Sequence, residues 1–214
     1  MKISTEDKEF VFSIIKNYFN WDLSESVKSN HFYSDFRDHN LYENGFELFN
    51  GAVKYCISSS LFENFVVKFC TEEFDYCQRE YTNYLAAVDQ NLEGFFPCTD
   101  LLGEYYGITF YIQERAECCE EEISSIWYEN LKESYEPWSE DEDEDDVSEH
   151  IWDMIYDLED EERSYMVYND YRLTNFLTEY CINDLHEGNY GYIDGRLVII
   201  DFSGYGWRAR ERSF

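Results

Sequence analysis

The chain has 214 residues, of which 44% are hydrophobic and 20% aromatic, and it carries a formal net charge of -31. That is enough apolar material for one core, or for two small lobes sharing a cleft, and it excludes an intrinsically disordered chain. A field of this sign repels nucleic acid and anionic membranes, favours basic partners, and obliges any anionic ligand to meet local Lys, a cation or backbone N–H groups.

In chain order, the first element predicted is a helix. Ser4 and Asp7 have capping-box spacing, with Asp in place of the usual Glu. Val11, Ile14, Ile15, Tyr18 and Phe19 then fall on one helical face. Residues 20–44 have no clear period and read as loop with a short helix. FELFNGAVKYCI and FENFVVKFC are rich in β-branched and aromatic residues and read as antiparallel strands. EEFDYCQREYTNYLAAV has helical period, with Phe74, Cys77, Tyr81, Tyr84, Leu85 and Val88 as its apolar positions, and Asn91 to Gly94 ends it. FFPCTDLLG and GITFYIQE read as two more strands. Residues 116–180 read as mainly helical and very acidic, with Glu140–Asp146 as a solvated charge run and helices in HIWDMIYDLEDEE and YRLTNFLTEYCI. At the end, YGYI and RLVIIDF flank Asp194-Gly195, a strong hairpin signal.

The seven Cys include no CxxC pair and no zinc-ligand spacing, which predicts reduced thiols in a cytosolic setting. The N-terminal MKISTEDKEF has charges where a signal peptide needs an apolar run, and no stretch approaches a membrane span. His31, His39 and His150 lack ligand spacing.

The segment NDLHEGNYGYIDGRLVIIDFSGYGW carries the most chemistry. Asp184 and Asn189 lie five apart on a loop after a helix, and Asp201 ends an apolar strand after a hairpin. Phosphoryl transfer needs a carboxylate to orient the attacking hydroxyl and oxygen ligands for Mg²⁺. A loop and an adjacent strand end can bring such groups around one phosphate. The plain alternative is an Asp-rich turn followed by an ordinary strand-ending Asp.

DLHEGN, a short hairpin and IIDFSG resemble the protein-kinase-like superfamily. The motif style is that of aminoglycoside- and choline-kinase-type sequences and of small kinase-like proteins of bacteria and their phages. The resemblance implies that Asp184 is the catalytic base and that Asn189 and Asp201 hold Mg²⁺. FVVKF resembles the VAIK strand, which implies that Lys68 grips the phosphates of ATP; an edge-strand lysine with its head in water is the alternative. The helix glutamate that pairs with this lysine falls on Glu80, with Glu72 and Glu73 as competitors at the helix start. Gly51 and Lys54 of NGAVK fall where a phosphate-covering loop would lie. FYIQERAE resembles the hinge, which implies adenine contacts from the backbone near Gln113, Glu114 and Arg115; a strand running into a helix cap is the alternative.

The sequence departs from the family in lacking a full GxGxxG loop and the His of HRD. The activation segment and further helices that hold a peptide substrate are also not in it. The fold expected is α+β and two-lobed, protein-kinase-like. Residues 1–44 form a helical extension, 45–115 a small antiparallel-sheet N-lobe with hinge, and 116–214 a reduced, acidic, mainly helical C-lobe. The function expected is a kinase-like protein binding ATP and Mg²⁺, a phosphotransferase to a hydroxyl acceptor. The alternative is a catalytically weak kinase-fold interaction protein whose acidic surface mimics nucleic acid and inhibits a basic DNA- or RNA-binding partner, as in phage anti-defence. Either reading places the protein in the cytoplasm (the host's, if phage-encoded), off membranes and not bound directly to nucleic acid.

Overall fold

The computed structural model describes residues 2–29, 31–50, 54–70, 76–118, 163, 166–167, 170–183, 185 and 187–204. The acidic run at 140–146, the helix expected at 150–162 and the residues after Gly204, with Arg208, Arg210 and Arg212, lie outside the described residues.

Helix α1 (Thr5–Tyr18) begins at the predicted capping box. Ser4 Oγ accepts from the Asp7 N–H at 3.0 Å, and Asp7 accepts in return from the Ser4 N–H at 3.0 Å. Two further helices follow, α2 (Leu23–Lys28) and α3 (Phe32–Asp38), where the sequence suggested loop with one short helix. Each is under two turns, so its apolar pair, Leu23 with Val27 or Phe32 with Phe36, is too brief to register as a period.

Five antiparallel strands come next, in the order β1-β2-β3-β5-β4: β1 (Phe46–Asn50), β2 (Lys54–Ser59), β3 (Phe65–Cys70), β4 (Thr99–Tyr105) and β5 (Ile108–Glu114). FELFNGAVKYCI is thus a hairpin of two strands, and the strand expected from Phe95 starts only at Thr99, after a 3-10 turn. Helix α4 (Tyr76–Asp89) joins β3 to β4.

The alternation of side chains across each strand gives the sheet two unlike faces. Tyr55, Ile57, Val67, Phe69, Phe110 and Ile112 are buried in one core with Val11, Ile15, Phe19, Phe32 and Phe36 of the N-terminal segment. Ring centroids of Phe32 lie 4.7 Å from Tyr55 and 5.1 Å from Phe69. The extension therefore closes the outer face of the sheet. Lys8 of α1 also reaches Asp100 of β4 at 2.8 Å. The opposite face presents Lys54, Cys56, Lys68, Tyr111 and Gln113, which share a side by register, toward α4.

Helix α4 corrects the expected apolar stripe. Leu85 and Val88 are exposed, and the buried positions are Tyr76, Cys77, Glu80, Asn83 and Ala87. A glutamate and an asparagine can occupy the buried stripe because each has its partners there, as described below.

The rest of the described chain is smaller. A three-stranded sheet of β6 (Glu117–Cys118), β7 (Tyr190–Ile193) and β8 (Arg196–Ile199) has the order β6-β7-β8, and helix α5 (Tyr171–Glu179) precedes β7 in the chain. Asp194 and Gly195 both have positive φ, 51° and 73°, as a two-residue hairpin turn requires. Phe96, Leu173, Phe176, Ile199 and Phe202 form the second core with the C-terminal half of α4. The described residues make an α+β architecture, and no helix among them is long and apolar enough to cross a membrane.

Candidate functional site: a buried two-lysine, two-carboxylate cluster

Register places Lys68 opposite Cys56, with Lys54 two residues before Cys56, so both lysines leave the same face of β2 and β3. Glu80, fully buried on α4, receives both. Lys68 Nζ donates to Glu80 Oε2 at 3.1 Å, and Lys54 Nζ donates to Glu80 Oε1 at 3.0 Å. Lys68 also donates to the Ile200 carbonyl at 2.9 Å. Lys54 donates further to Asp201 Oδ1 at 2.5 Å and to Ser203 Oγ at 3.4 Å. Each ammonium has three N–H donors, and each finds oxygens from more than one element.

The segment Asp201–Gly204 is docked on α4 through its backbone. The Phe202 N–H donates to Glu80 Oε1 at 3.3 Å, Asn83 Nδ2 donates to the Phe202 carbonyl at 2.7 Å, and Arg79 donates to the Gly204 carbonyl at 3.3 Å. Glu80 and Asn83 are one helical turn apart and act as a pair of clips. Gly204 has φ +75°, and a Cβ there would lie 2.6 Å from the Tyr180 carbonyl oxygen, so the glycine of DFSG is dictated by close packing.

The electrostatics follow from burial and pairing. Burial works against the Asp201 charge, but Lys54 and Lys68 outweigh it and hold the carboxyl down at about 2. Burial likewise disfavours both ammoniums, and Glu80, joined by Asp201, overcomes it and raises Lys54 and Lys68 above the ordinary lysine value. Two cations and two anions leave the cluster locally neutral inside a chain of net charge -31. Beside it, the sulfurs of Cys70 and Cys77 lie 3.2 Å apart, and burial pushes the Cys77 thiol up.

The structure brings together Lys68, Glu80, Lys54 and Asp201. Of the competing glutamates, Glu72 and Glu73 lie outside the described residues, as do Gly51 and Asp184. Asn189 is buried, and its carbonyl accepts from the Ile200 N–H at 2.9 Å, one step beyond the Tyr190–Ile199 pair. The β7–β8 hairpin therefore carries Asn189 and Asp201 to the same end.

The expected hinge residues lie at the far end of the sheet. Gln113 is buried and donates to Thr99 Oγ1 at 3.0 Å. The N–H groups of Glu114 and Arg115 donate to the Cys98 and Asn64 carbonyls at 2.8 and 2.9 Å. A cleft of about 730 Å³ opens there, between the sheet and the β7–β8 turn. Its charged lining is Glu47, Glu63, Glu114, Glu117 and Asp194 against Arg115 alone. Ser58 lines this cleft and Lys54 does not, and four residues of strand separate them, about 13 Å by strand rise. Cleft and Lys54 therefore lie toward opposite ends of β2, with Lys68, opposite Cys56, between them.

The donor set does not fit a divalent cation well as it stands. Lys54 already occupies Asp201, one of the two residues that the resemblance assigns to Mg²⁺, and bridges it to Glu80. Among the described residues, no group of three or more His, Cys, Asp or Glu is arranged to hold a metal. Asn83, Arg79 and Ser203 were not singled out from the sequence. The available signal was that Asn83 stands three residues after Glu80, on the same helical stripe.

No protein-family model matches the chain, and no curated protein or solved structure shows significant similarity to it.

Proposed function

We propose that the chain is a nucleotide-binding protein of two-lobed, protein-kinase-like fold. The observation that carries this reading is the buried Lys68–Glu80 pair. It joins the third strand to the helix between the third and fourth strands, with Asp201 of DFSG held against it through Lys54. A five-stranded antiparallel sheet with one helix joining β3 to β4 is consistent with the small lobe that the resemblance implies, and it supports the same reading. In this proposal the lysines face the phosphates of ATP, and the base lies toward the cleft at Glu114 and Arg115. Transfer to a hydroxyl acceptor, with Asp184 as base, is the reaction the resemblance adds.

The test is thermal melting with and without ATP, on the parent and on Lys68→Met. Saturating ligand at about 100 times its dissociation constant should add ~2.7 kcal/mol of stability. A shift in the parent that vanishes in the variant supports the site, and a parent that does not respond sinks it. ADP release with added hydroxyl acceptors then reads turnover.

The cleft favours a second reading. Five carboxylates against one guanidinium, in a chain of charge -31, suit a basic protein partner that this surface would occupy in place of nucleic acid. Capture of such a partner should weaken steeply as salt rises from about 0.05 to 0.5 M. Salt-insensitive capture would argue for an apolar interface instead.

A further inference from the structure

The resemblance calls for a metal at Asp201, yet a cation of the chain's own is already there. Lys54 Nζ has Glu80 Oε1 at 3.0 Å, Asp201 Oδ1 at 2.5 Å and Ser203 Oγ at 3.4 Å. Those three oxygens come from α4 and from the segment after β8, so one ammonium ties the two together. The side chain is 9% exposed, so water contributes little to this charge. Lys68 holds the other face of Glu80 and the Ile200 carbonyl, so the two carboxylates are matched by two ammoniums. A divalent ion added beside Asp201 would meet Lys54 at contact range in a poorly hydrated site, and like charges there repel strongly.

We propose that Lys54 serves as the intramolecular cation of this site, neutralising Asp201 in place of the divalent metal that the resemblance puts there. The phosphates of a nucleotide are then held by Lys54 and Lys68 without a divalent ion. A lysine suits the role because its ammonium is compact, presents three donors and rides on a long stem, so it can turn from Asp201 to a phosphate oxygen while staying near Glu80. Lys54 stands at the first position of β2. The phosphate part rests on the nucleotide reading above; the place of Lys54 as cation does not.

Two arms separate these parts. In the first, melting of the parent is followed with ATP in EDTA and with ATP and Mg²⁺. The expected result is the same upward shift in both, and a shift present with Mg²⁺ but lost in EDTA overturns the proposal. In the second, Mn²⁺ alone is titrated and free ion is read by electron paramagnetic resonance. The parent and Asp201→Asn should bind Mn²⁺ alike, because in the parent the position belongs to Lys54. Lys54→Met should gain one site at least tenfold tighter than the surface background, lost again in Lys54→Met/Asp201→Asn. Lys54→Gln serves if the methionine variant fails to fold. A parent that binds one more tight Mn²⁺ than Asp201→Asn, or a folded Lys54 variant that gains no site, overturns the proposal. If ATP shifts nothing in either buffer while the Lys54 variant gains its Mn²⁺ site, Lys54 stands as the cation and the nucleotide reading alone falls.

Discussion

Glu80 is the residue on which the site turns. It is fully buried and accepts from Lys54, Lys68 and the Phe202 N–H. Glu80→Gln leaves two buried ammoniums with Asp201 as their nearest anion, and breaking a buried pair this way costs about 3–5 kcal/mol. Urea unfolding of the variant should show a loss of that size, and a loss below about 1 kcal/mol would mean that the cluster is more hydrated than its burial implies. Asp201 adds a pH dependence. Its folded value, about 2, lies below the ordinary carboxylate value, so its stabilisation is present above about pH 4 and is lost as pH falls toward 2. The gap corresponds to about 2 kcal/mol. Acid unfolding of the parent and of Asp201→Asn should therefore converge between pH 4 and pH 2, and a constant gap across that range would contradict the pairing. The charged residues of this site were legible in the sequence only through the resemblance, which singled out Lys68 in FVVKF, Glu80 on the helix and Asp201 in IIDFSG; taken alone, an edge-strand lysine and a strand-ending aspartate are ordinary, and Lys54, expected on a phosphate-covering loop, stands in β2. Their exact partnership was not, since nothing in the spacing says that Lys54 reaches both Glu80 and Asp201.

At the scale of elements, the best-read feature is the start of α1. Ser4→Ala removes one half of a formed capping box and should cost about 1 kcal/mol by chemical denaturation, whereas Ser4→Asp should be nearly neutral. The hairpin at Asp194-Gly195 was equally plain, because positive φ at two successive residues leaves few sequences to choose from. Helix α4 shows the opposite case. Its existence follows from its period, but its buried face does not, because Leu85 and Val88 are exposed while Glu80 and Asn83 are buried. Hydrophobicity alone assigns polar residues to solvent, and the information that reverses this lies in the lysines of other strands and in the Phe202 carbonyl. The helices α2 and α3 were hidden for another reason. They are short, and their stability comes from rings packed on the sheet, not from their own sequence period.

At the scale of the whole molecule, the N-terminal helices are part of the first core and not an appendage. Residues 46–70 carry an aromatic face that the helices cover, with Phe19, Phe32 and Phe36 fully buried against it. A chain beginning at residue 45 should therefore expose that face and aggregate or lose cooperative melting, read by size-exclusion chromatography and circular dichroism. A monomeric, cooperatively melting truncation would show that the strands and α4 suffice. The boundary near residue 44 marks a change of local pattern, and local pattern does not report which segments share a core.

The separation along the chain between the partners of the cluster has a kinetic consequence. Lys54 and Asp201 are 147 residues apart and Lys68 and Ile200 are 132 apart, whereas β1 pairs with β2 and β2 with β3 across short connections. Short loops close first and long ones late. During synthesis Lys54, Lys68 and Glu80 emerge long before Asp201. The helix bearing Glu80 thus waits with an excess of positive charge at its buried face, and the arrival of Asp201 both neutralises that charge and completes the site. Completion of the site therefore waits on its longest-range contacts.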